Sequence, residues 1–391
     1  MRYETPFTYG DVLYDGSRID VLDHHFQKMM EKNQLQGATY CMARSGKKFV
    51  ENSIGSLSFE EDQRPMLPDS IFRIASITKL FTATAIFRLM EDGLFRLDQP
   101  VKDILEEFQQ GPFQEIQIAQ LLSHTSGLQP DPGCFNNPYY VSQWDFMRNG
   151  FREQDEKWLK NALHCGLRTK PGTEWAYSSF GFVVLGEIIT RTTGIHCEEF
   201  IMNELIRKCE MQDTSFKKGF SLDKLDRFVI VNQRQKEYIE LLKQGKEDEL
   251  NEEDKLWETV PDTGGGLMST VSDLVKFGVM LEQEGYYGNH RVIGRKTIEK
   301  MTSRYTGSDI KDYCWGGQGV ERAYGYGPDL RRNSATIYSK GTYFHEGAGS
   351  CCLMIDPEEH LVSAWYVPYR NGAWYAEGLY NAANIMWSGL R

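Results

Sequence analysis

The sequence predicts a mixed α/β (α+β) fold, in which an antiparallel sheet built from both chain ends is flanked by helices and a mainly helical domain is inserted. Strand-like stretches occur near both ends of the 391 residues, and helical patterns fill the middle. No internal repeat of solenoid or propeller period interrupts this arrangement. We expect a sheet domain of residues 1–80 plus 262–391 and an inserted helical domain of residues 81–261.

The chain ends supply the sheet. Apolar residues recur at steps of three and four from Ile19 to Lys32, which predicts a helix. A hairpin follows, with strands at 38–44 and 49–55 around a turn at 45–48. A matching strand pair, 349–356 and 360–367, lies near the C-terminus, and a last helix is predicted from Tyr375 to Ser388.

The middle of the chain is mostly helical in pattern. Helices are predicted at Ser76–Asp92, Ile116–Leu122, Phe182–Thr192, His196–Lys208, Val271–Glu284 and Gly294–Met301. The segment 233–258 is dense in charge and predicts a solvated surface helix or loop, with a lid over a pocket as the alternative.

Composition excludes several classes of function. A net charge of −11 repels phosphate backbones, so a nucleic-acid partner is not expected. No apolar run is long enough to span a membrane, and the first residues lack a basic-then-apolar signal pattern, so we expect a cytoplasmic protein. The eight cysteines include no CxxC pair and do not cluster with histidines, which favours buried thiols over a disulfide framework or a metal site.

The pattern Ser-x-x-Lys occurs five times, and context selects among the copies. Ser45, Ser215, Ser221 and Ser308 stand in turns or polar stretches, where a serine is most simply solvated. Ser76 instead begins SITKLFTATAIFRLMEDG, a helix that is apolar on nearly every face and must therefore be buried.

That setting suits a nucleophile. Residues three apart share a helix face, so the amine of Lys79 can reach the hydroxyl of Ser76. Burial lowers the pKa of a lysine, which a general base at neutral pH requires, and the helix N-terminus offers N–H groups to an oxyanion. A plain N-cap serine with a solvent-directed lysine is the alternative reading of this segment. A Ser/His/Asp hydrolase is less consistent with the chain, because it contains no G-x-S-x-G.

Four stretches, in order, resemble a known family. They are FRIASITKLFTATAIFRLMEDGLFRLDQPV at 72–101, IAQLLSHTSGL at 118–128, PGTEWAYSSFGFVVLGEII at 171–189 and GGGLMSTVSDLVKFGVML at 264–281. Together they resemble the serine hydrolases that include class C β-lactamases, DD-peptidases, D-aminopeptidases and β-lactamase-like carboxylesterases and acyltransferases. The resemblance implies their fold, with Ser76 as nucleophile.

The resemblance also implies partners for Ser76. Lys79 takes or relays the serine proton, and Tyr177 matches the tyrosine of a Tyr-x-Asn loop, where its phenol shuttles a proton. Ser179 stands where relatives acting on β-lactams have an asparagine that binds the substrate amide. A serine hydroxyl has one donor instead of two, so this departure favours simpler esters without excluding amides.

A third implied element is a His-x-Gly strand that lines the pocket. Its match is His345-Glu346-Gly347, where His345 offers a switchable charge or hydrogen bond to substrate and Tyr177. Gly347 is expected to let substrate approach the strand, and the N–H of Ala348 to complete the oxyanion hole with that of Ser76. Glu346 departs from the small residue common at its position.

These inferences predict a serine hydrolase that forms an acyl-enzyme on Ser76, most simply a carboxylesterase or acyltransferase acting on a small acyl substrate. No metal or organic cofactor is expected, and the sequence does not specify an oligomeric state. A D-amino-acid peptidase or weak β-lactamase with the same residues is one alternative. A non-catalytic sensor that resembles penicillin-binding proteins is the other.

Overall fold

A five-stranded antiparallel sheet forms the centre of the computed structural model, which describes residues 2–60, 64–135, 143–144, 158–251, 260–331, 334–371 and 374–391. Its strands are β1 (Gly37–Arg44), β2 (Lys47–Gly55), β10 (Tyr343–Gly347), β11 (Cys351–Asp356) and β12 (Leu361–Tyr366). The strand order is β10-β11-β12-β1-β2, so the first and last parts of the chain meet where β1 pairs with β12. The predicted sheet built from both chain ends is confirmed.

Helices cover both faces of this sheet. Alternate residues of β1 divide between two cores: Cys41 and Ala43 join the core on the inserted side, whereas Tyr40 and Met42 join the core beneath the terminal helices. Because both faces are covered, the strand is apolar along its length instead of alternating with polar residues. The terminal helices are α1 (Ser17–Glu31) and α10 (Ala382–Trp387), which contact each other.

The helix that begins beside the candidate nucleophile runs through the larger core. This helix, α2 (Thr78–Glu91), follows a short 3-10 turn over Ala75–Ile77 and buries nearly every residue. Phe81 stacks on Phe277 of α8 (Val271–Glu282), with ring centroids 3.9 Å apart. The all-round apolar pattern of the sequence therefore reflects a helix surrounded by protein.

The middle of the chain is mainly helical in the described residues, as predicted. Its helices are α3 (Ile118–Leu122), α4 (Trp158–Leu163), α5 (Ser179–Thr193), α6 (Cys197–Ile201), extended by a π-helical turn at Met202–Ile206, and α7 (Gln233–Lys243). Beyond it lie α8 and α9 (Arg295–Met301), and a π-helical stretch at Trp374–Asn381 precedes α10. Within the described ranges, no helix is both long and apolar enough to cross a bilayer.

The charged segment forms an amphipathic helix. Helix α7 buries Tyr238, Ile239 and Leu242 in a small core of its own and directs its charged residues outward. As far as the structure describes this segment, none of it lines the cavity that contains Ser76, and residues 252–259 lie outside the described residues. The surface-helix prediction fits residues 233–243.

Short strands outside the central sheet pair with one another in small sheets. They are β3 (Phe72–Arg73), β4 (Glu174–Trp175), β5 (Met268–Ser269), β6 (Tyr286–Tyr287), β7 (His290–Arg291), β8 (Lys311–Asp312) and β9 (Val320–Glu321). The pairing of β3 with β5 brings the segment before Ser76 beside the glycines at 264–266. The predicted domain division stays a prediction, and α2 runs across its boundary at residue 81.

Candidate active site

Ser76 lies in a tight turn at the base of α2. The preceding residue, Ala75, has a φ of +44°, a conformation that residues with a side chain rarely adopt. Such strain persists only where the surrounding structure holds it, and it occurs often at functional sites. The turn directs Ser76 into a cavity of about 400 Å³.

Lys79 lies one turn further along, with no exposed surface. Its Nζ donates to Ser76 Oγ at 3.1 Å, to Ser179 Oγ at 2.9 Å and to the carbonyl of Gly264 at 2.7 Å. Burial lowers the pKa of Lys79 to about 8, against the opposing charges of two carboxylates, Asp131 and Asp262. The amine is therefore partly unprotonated near neutral pH and in contact with the candidate nucleophile, as the sequence predicted.

Tyr177 completes the group around Ser76. Its ring centroid lies 4.9 Å from Lys79 Nζ, and its side chain lines the same cavity as Ser76. Burial raises the pKa of Tyr177 well above its ordinary value, so the phenol keeps its proton at neutral pH. The hydroxyl, amine and phenol that sequence reasoning selected therefore converge.

Ser179 faces the lysine. Besides accepting a hydrogen bond from Lys79, its hydroxyl donates to Asp131 Oδ2 at 2.5 Å, and its backbone N–H donates to Asp131 Oδ1 at 2.7 Å. Ser179 is absent from the residues that line the described part of the cavity, so a direct contact with substrate stays a prediction. Sequence reasoning missed Asp131, because nothing in LQPDPG marks a carboxylate that reaches residue 179.

His345 lines the cavity from β10, and both of its ring nitrogens lie near oxygen atoms of the protein. Its Nδ1 lies 2.6 Å from the carbonyl of Glu346 and its Nε2 lies 3.3 Å from the hydroxyl of Tyr324. Burial, together with the charge of Lys79, lowers the pKa of His345 to about 3. A neutral ring favours the hydrogen-bonding alternative over the charge, and the role of His345 toward a substrate stays a prediction. Its ring centroid is 6.4 Å from that of Tyr177.

Gly347 is required by the protein's own packing. A Cβ at this position would lie 2.3 Å from the carbonyl oxygen of Ile74 and 2.4 Å from Cys351 Sγ. The structure therefore shows a close approach between β10 and the turn that carries Ser76, and the close approach of a substrate to this strand stays a prediction. Ala348 follows in the β10–β11 turn and lines the same cavity as Ser76, and the oxyanion hole formed by their N–H groups stays a prediction.

Two further segments contact the site. His124, which follows α3, accepts the backbone N–H of Ser178 at its Nδ1, with the atoms 3.1 Å apart. Its ring centroid lies 4.3 Å from that of Tyr177. The glycine bend supplies the Gly264 carbonyl that binds Lys79. Both contacts join segments far apart in sequence, so no local pattern could indicate them.

The remaining wall of the cavity combines aromatic rings with paired charges. The aromatic side chains that line it are Tyr177, Trp315, Tyr324, Tyr369, Trp374 and Tyr375. Arg322 Nη2 lies 2.6 Å from Asp329, and Arg331 Nη2 lies 3.0 Å from Glu346. The departure at Glu346 thus supplies the carboxylate that holds Arg331.

A resident metal ion has no obvious ligand set here. Across the ranges that the structure describes, no three His, Cys, Asp or Glu side chains are placed to hold an ion together. All eight cysteines are free thiols, and seven of them are buried.

Comparison with known proteins identifies a protein family whose model matches most of the chain. A family model described as Beta-lactamase matches residues 22–380. A penicillin-binding protein of Bacillus subtilis (strain 168) is 28% identical over 266 residues, which are 67% of this chain and 55% of that protein. Esterase EstB of Burkholderia gladioli is 34% identical over 181 residues, which are 44% of this chain and 45% of the esterase. The chain spans about half the length of these curated relatives.

A solved structure shares the whole architecture. The crystal structure of a family VIII carboxylesterase superposes with a TM-score of 0.71, covering 95% of this chain and 98% of its own. At 20% sequence identity, this likeness shows the fold alone.

Replacing Gly347 with alanine should destabilise the protein. Because the new methyl group meets the Ile74 carbonyl, we expect a loss of about 1–3 kcal/mol in the free energy of unfolding, together with slower reaction of Ser76. Urea unfolding measures the first effect. Gly10→Ala is the control, since its methyl group meets only Thr8 at 3.7 Å. Equal stability of the two variants would contradict the packing argument.

Proposed function

The chain belongs to the Beta-lactamase family, and we propose that it is a serine hydrolase that forms an acyl-enzyme on Ser76, with carboxylic esters as its substrates. One observation carries the proposal. A fully buried amine, Lys79 Nζ, lies 3.1 Å from Ser76 Oγ in a turn that opens into a cavity. A buried lysine with a lowered pKa is the arrangement that activates a serine without a histidine.

The relative proton affinities favour Lys79 as the base. With a pKa of about 8, a substantial fraction of the amine is neutral near physiological pH. The pKa of Tyr177 is raised well above 10, so a tyrosinate base is the more costly choice. Tyr177 is better suited to act as a neutral phenol that passes a proton between Ser76 and the leaving group.

The proposed reaction runs in two halves. Ser76 Oγ attacks the ester carbonyl while its proton passes to Lys79, and the resulting oxyanion accepts hydrogen bonds from the N–H groups of Ser76 and Ala348. The carbon–oxygen bond to the leaving group then breaks, and the alkoxide receives the proton held by Lys79, which Tyr177 relays. Water, or an alcohol in an acyl transfer, attacks the acyl-enzyme by the same steps in reverse.

Features of the cavity support esters over β-lactams. The Ser179 hydroxyl, which replaces an amide, is already bonded to Lys79 and Asp131. The guanidinium groups of Arg322 and Arg331, which line the described part of the wall, each pair with a carboxylate. A β-lactam carboxylate would have to compete for those guanidinium groups. An uncharged ester, bound among aromatic side chains, faces no such competition.

Covalent labelling tests the nucleophile. A fluorophosphonate should attach to Ser76 in the wild-type protein and fail to attach in Ser76→Ala, as measured by intact mass and peptide mapping. Ser221→Ala is the matched control, since it removes an exposed serine from another Ser-x-x-Lys sequence, and it should label fully. Full labelling of Ser76→Ala would mean that the wrong serine had been chosen. An unlabelled wild-type protein would favour a non-catalytic sensor.

The pH dependence of turnover tests the base. Because the neutral amine is the active form, kcat/KM should rise with pH through about 8 and fall as Lys79 becomes protonated below it. Lys79→Ala and Tyr177→Phe should each lower kcat by about a hundredfold or more. Tyr177→Phe should keep the pH-dependent rise, whereas Lys79→Ala should lose it. If Lys79→Ala and Tyr177→Phe both fold and keep the wild-type turnover, the proposed mechanism is contradicted.

A substrate panel tests the choice of esters. Short-chain nitrophenyl esters should have a higher kcat/KM than nitrocefin and than D-alanyl amides, because alkoxide and phenoxide leave more readily than amines. Absorbance assays on the same preparation measure all three classes. A nitrocefin rate far above the ester rates would instead identify a β-lactamase, and a dominant D-alanyl amide rate would identify a D-amino-acid peptidase.

A further inference from the structure

Resting on the function proposed above, we propose that Asp131 is a positioning residue for the reaction: it holds the 177–179 loop in place around Ser76 and supplies negative charge facing Lys79. No sequence motif assigns it a role. It follows α3 in a loop that lines the cavity.

Three hydrogen bonds join Asp131 to the loop that carries the phenol. Its backbone N–H donates to the carbonyl of Tyr177 at 2.8 Å, and its two carboxylate oxygens accept the backbone N–H and the hydroxyl of Ser179. One residue therefore bonds to both ends of a tripeptide. This arrangement fixes the backbone on either side of Ser178 and, with it, the placement of the Tyr177 side chain.

The third bond extends to the base. Ser179 Oγ accepts from Lys79 Nζ while donating to Asp131, so the lysine, the serine and the carboxylate form one continuous chain of hydrogen bonds. A hydroxyl can accept and donate at once, which makes it a suitable link between an amine and a carboxylate. Loss of the carboxylate would leave the Ser179 hydroxyl without the acceptor that orients it.

Charge gives Asp131 a second effect. The titratable groups facing Lys79 from the surrounding segments are Asp131, Asp262, Tyr177, His124 and His345. Burial keeps the two imidazoles and the phenol neutral, so the carboxylates supply the charge that opposes burial of the ammonium. Burial raises the pKa of Asp131 itself, while Lys79 and the two bonds from Ser179 lower it.

Asp131→Asn removes the negative charge of the side chain and keeps its size and shape. The amide oxygen can still accept the Ser179 N–H, but the negative charge is lost. We expect the pKa of Lys79 to fall by about one unit, so the rise of kcat/KM moves to lower pH. We also expect kcat at the plateau to fall by about ten- to a hundredfold, because the loop is held less firmly. A merely structural residue would lower stability without moving the pH dependence.

The titration of Lys79 can be measured without turnover. In protein labelled with ε-13C lysine, the Lys79 resonance is assigned by its loss in Lys79→Met and followed against pH in wild type, Asp131→Asn and Asp98→Asn. Asp98 is the matched control, since its side chain is 71% exposed and Asp98→Asn should titrate as wild type does. This titration does not depend on turnover. If labelling shows that Ser76 is unreactive, the proposed function fails, but the titration still measures the effect of Asp131 on the pKa of Lys79.

Ser179→Ala is the second variant, because it removes the hydroxyl link but keeps the carboxylate. It should lower kcat while moving the titration of Lys79 less than Asp131→Asn does. A wild-type Lys79 titration and a wild-type kcat in folded Asp131→Asn would overturn the proposal. If thermal unfolding shows that Asp131→Asn does not fold, Ser179→Ala decides, and an unchanged kcat in that variant overturns it.

Discussion

The structure depends on burying one amine. Lys79 has no exposed surface, and such a group is stable inside a protein only when its donors are satisfied and its charge is opposed or removed. Three acceptors meet this requirement, and they come from the 3-10 turn before α2, the start of α5 and the bend before β5. Fixing the amine therefore fixes the relative positions of three segments separated by up to 185 residues.

The sheet and the central helix make that convergence possible. Helix α2 is enclosed because the strand pair β1–β12 brings both chain ends to one side and the inserted helices cover the other. Gly347 then allows β10 to lie against the backbone of Ile74, which brings the β10–β11 turn beside Ser76. The oxyanion hole proposed at Ser76 and Ala348 is thus a consequence of close backbone packing.

A site residue could be predicted from the sequence only where the evidence for its role lies within one short segment. Ser76 and Lys79 could be selected from the residues alone, because one segment contains both their three-residue spacing and the apolar residues around them. Tyr177 and His345 required a resemblance to other proteins, since their sequence contexts are ordinary. Neither the residues alone nor the resemblance to other proteins indicated Asp131 or the carbonyl of Gly264. A loop carboxylate and a backbone oxygen acquire a role only through the tertiary fold. The burial of His345 and its proximity to Lys79, which lower the pKa of its imidazole, cannot be read from the sequence for a related reason.

The serine at position 179 illustrates how one departure changes the chemistry available to a site. An asparagine there could turn its amide toward a substrate, since it has two donor hydrogens and an acceptor. A serine has a single hydrogen, which Asp131 takes, and an oxygen that receives the bond from Lys79. The polar chain that begins at the amine therefore ends at a carboxylate belonging to the protein instead of at a bound molecule. In the proposed mechanism such a site keeps Lys79 as base and Ser76 as nucleophile, and recognition of the substrate is expected to depend on the aromatic and paired ionic groups of the cavity wall.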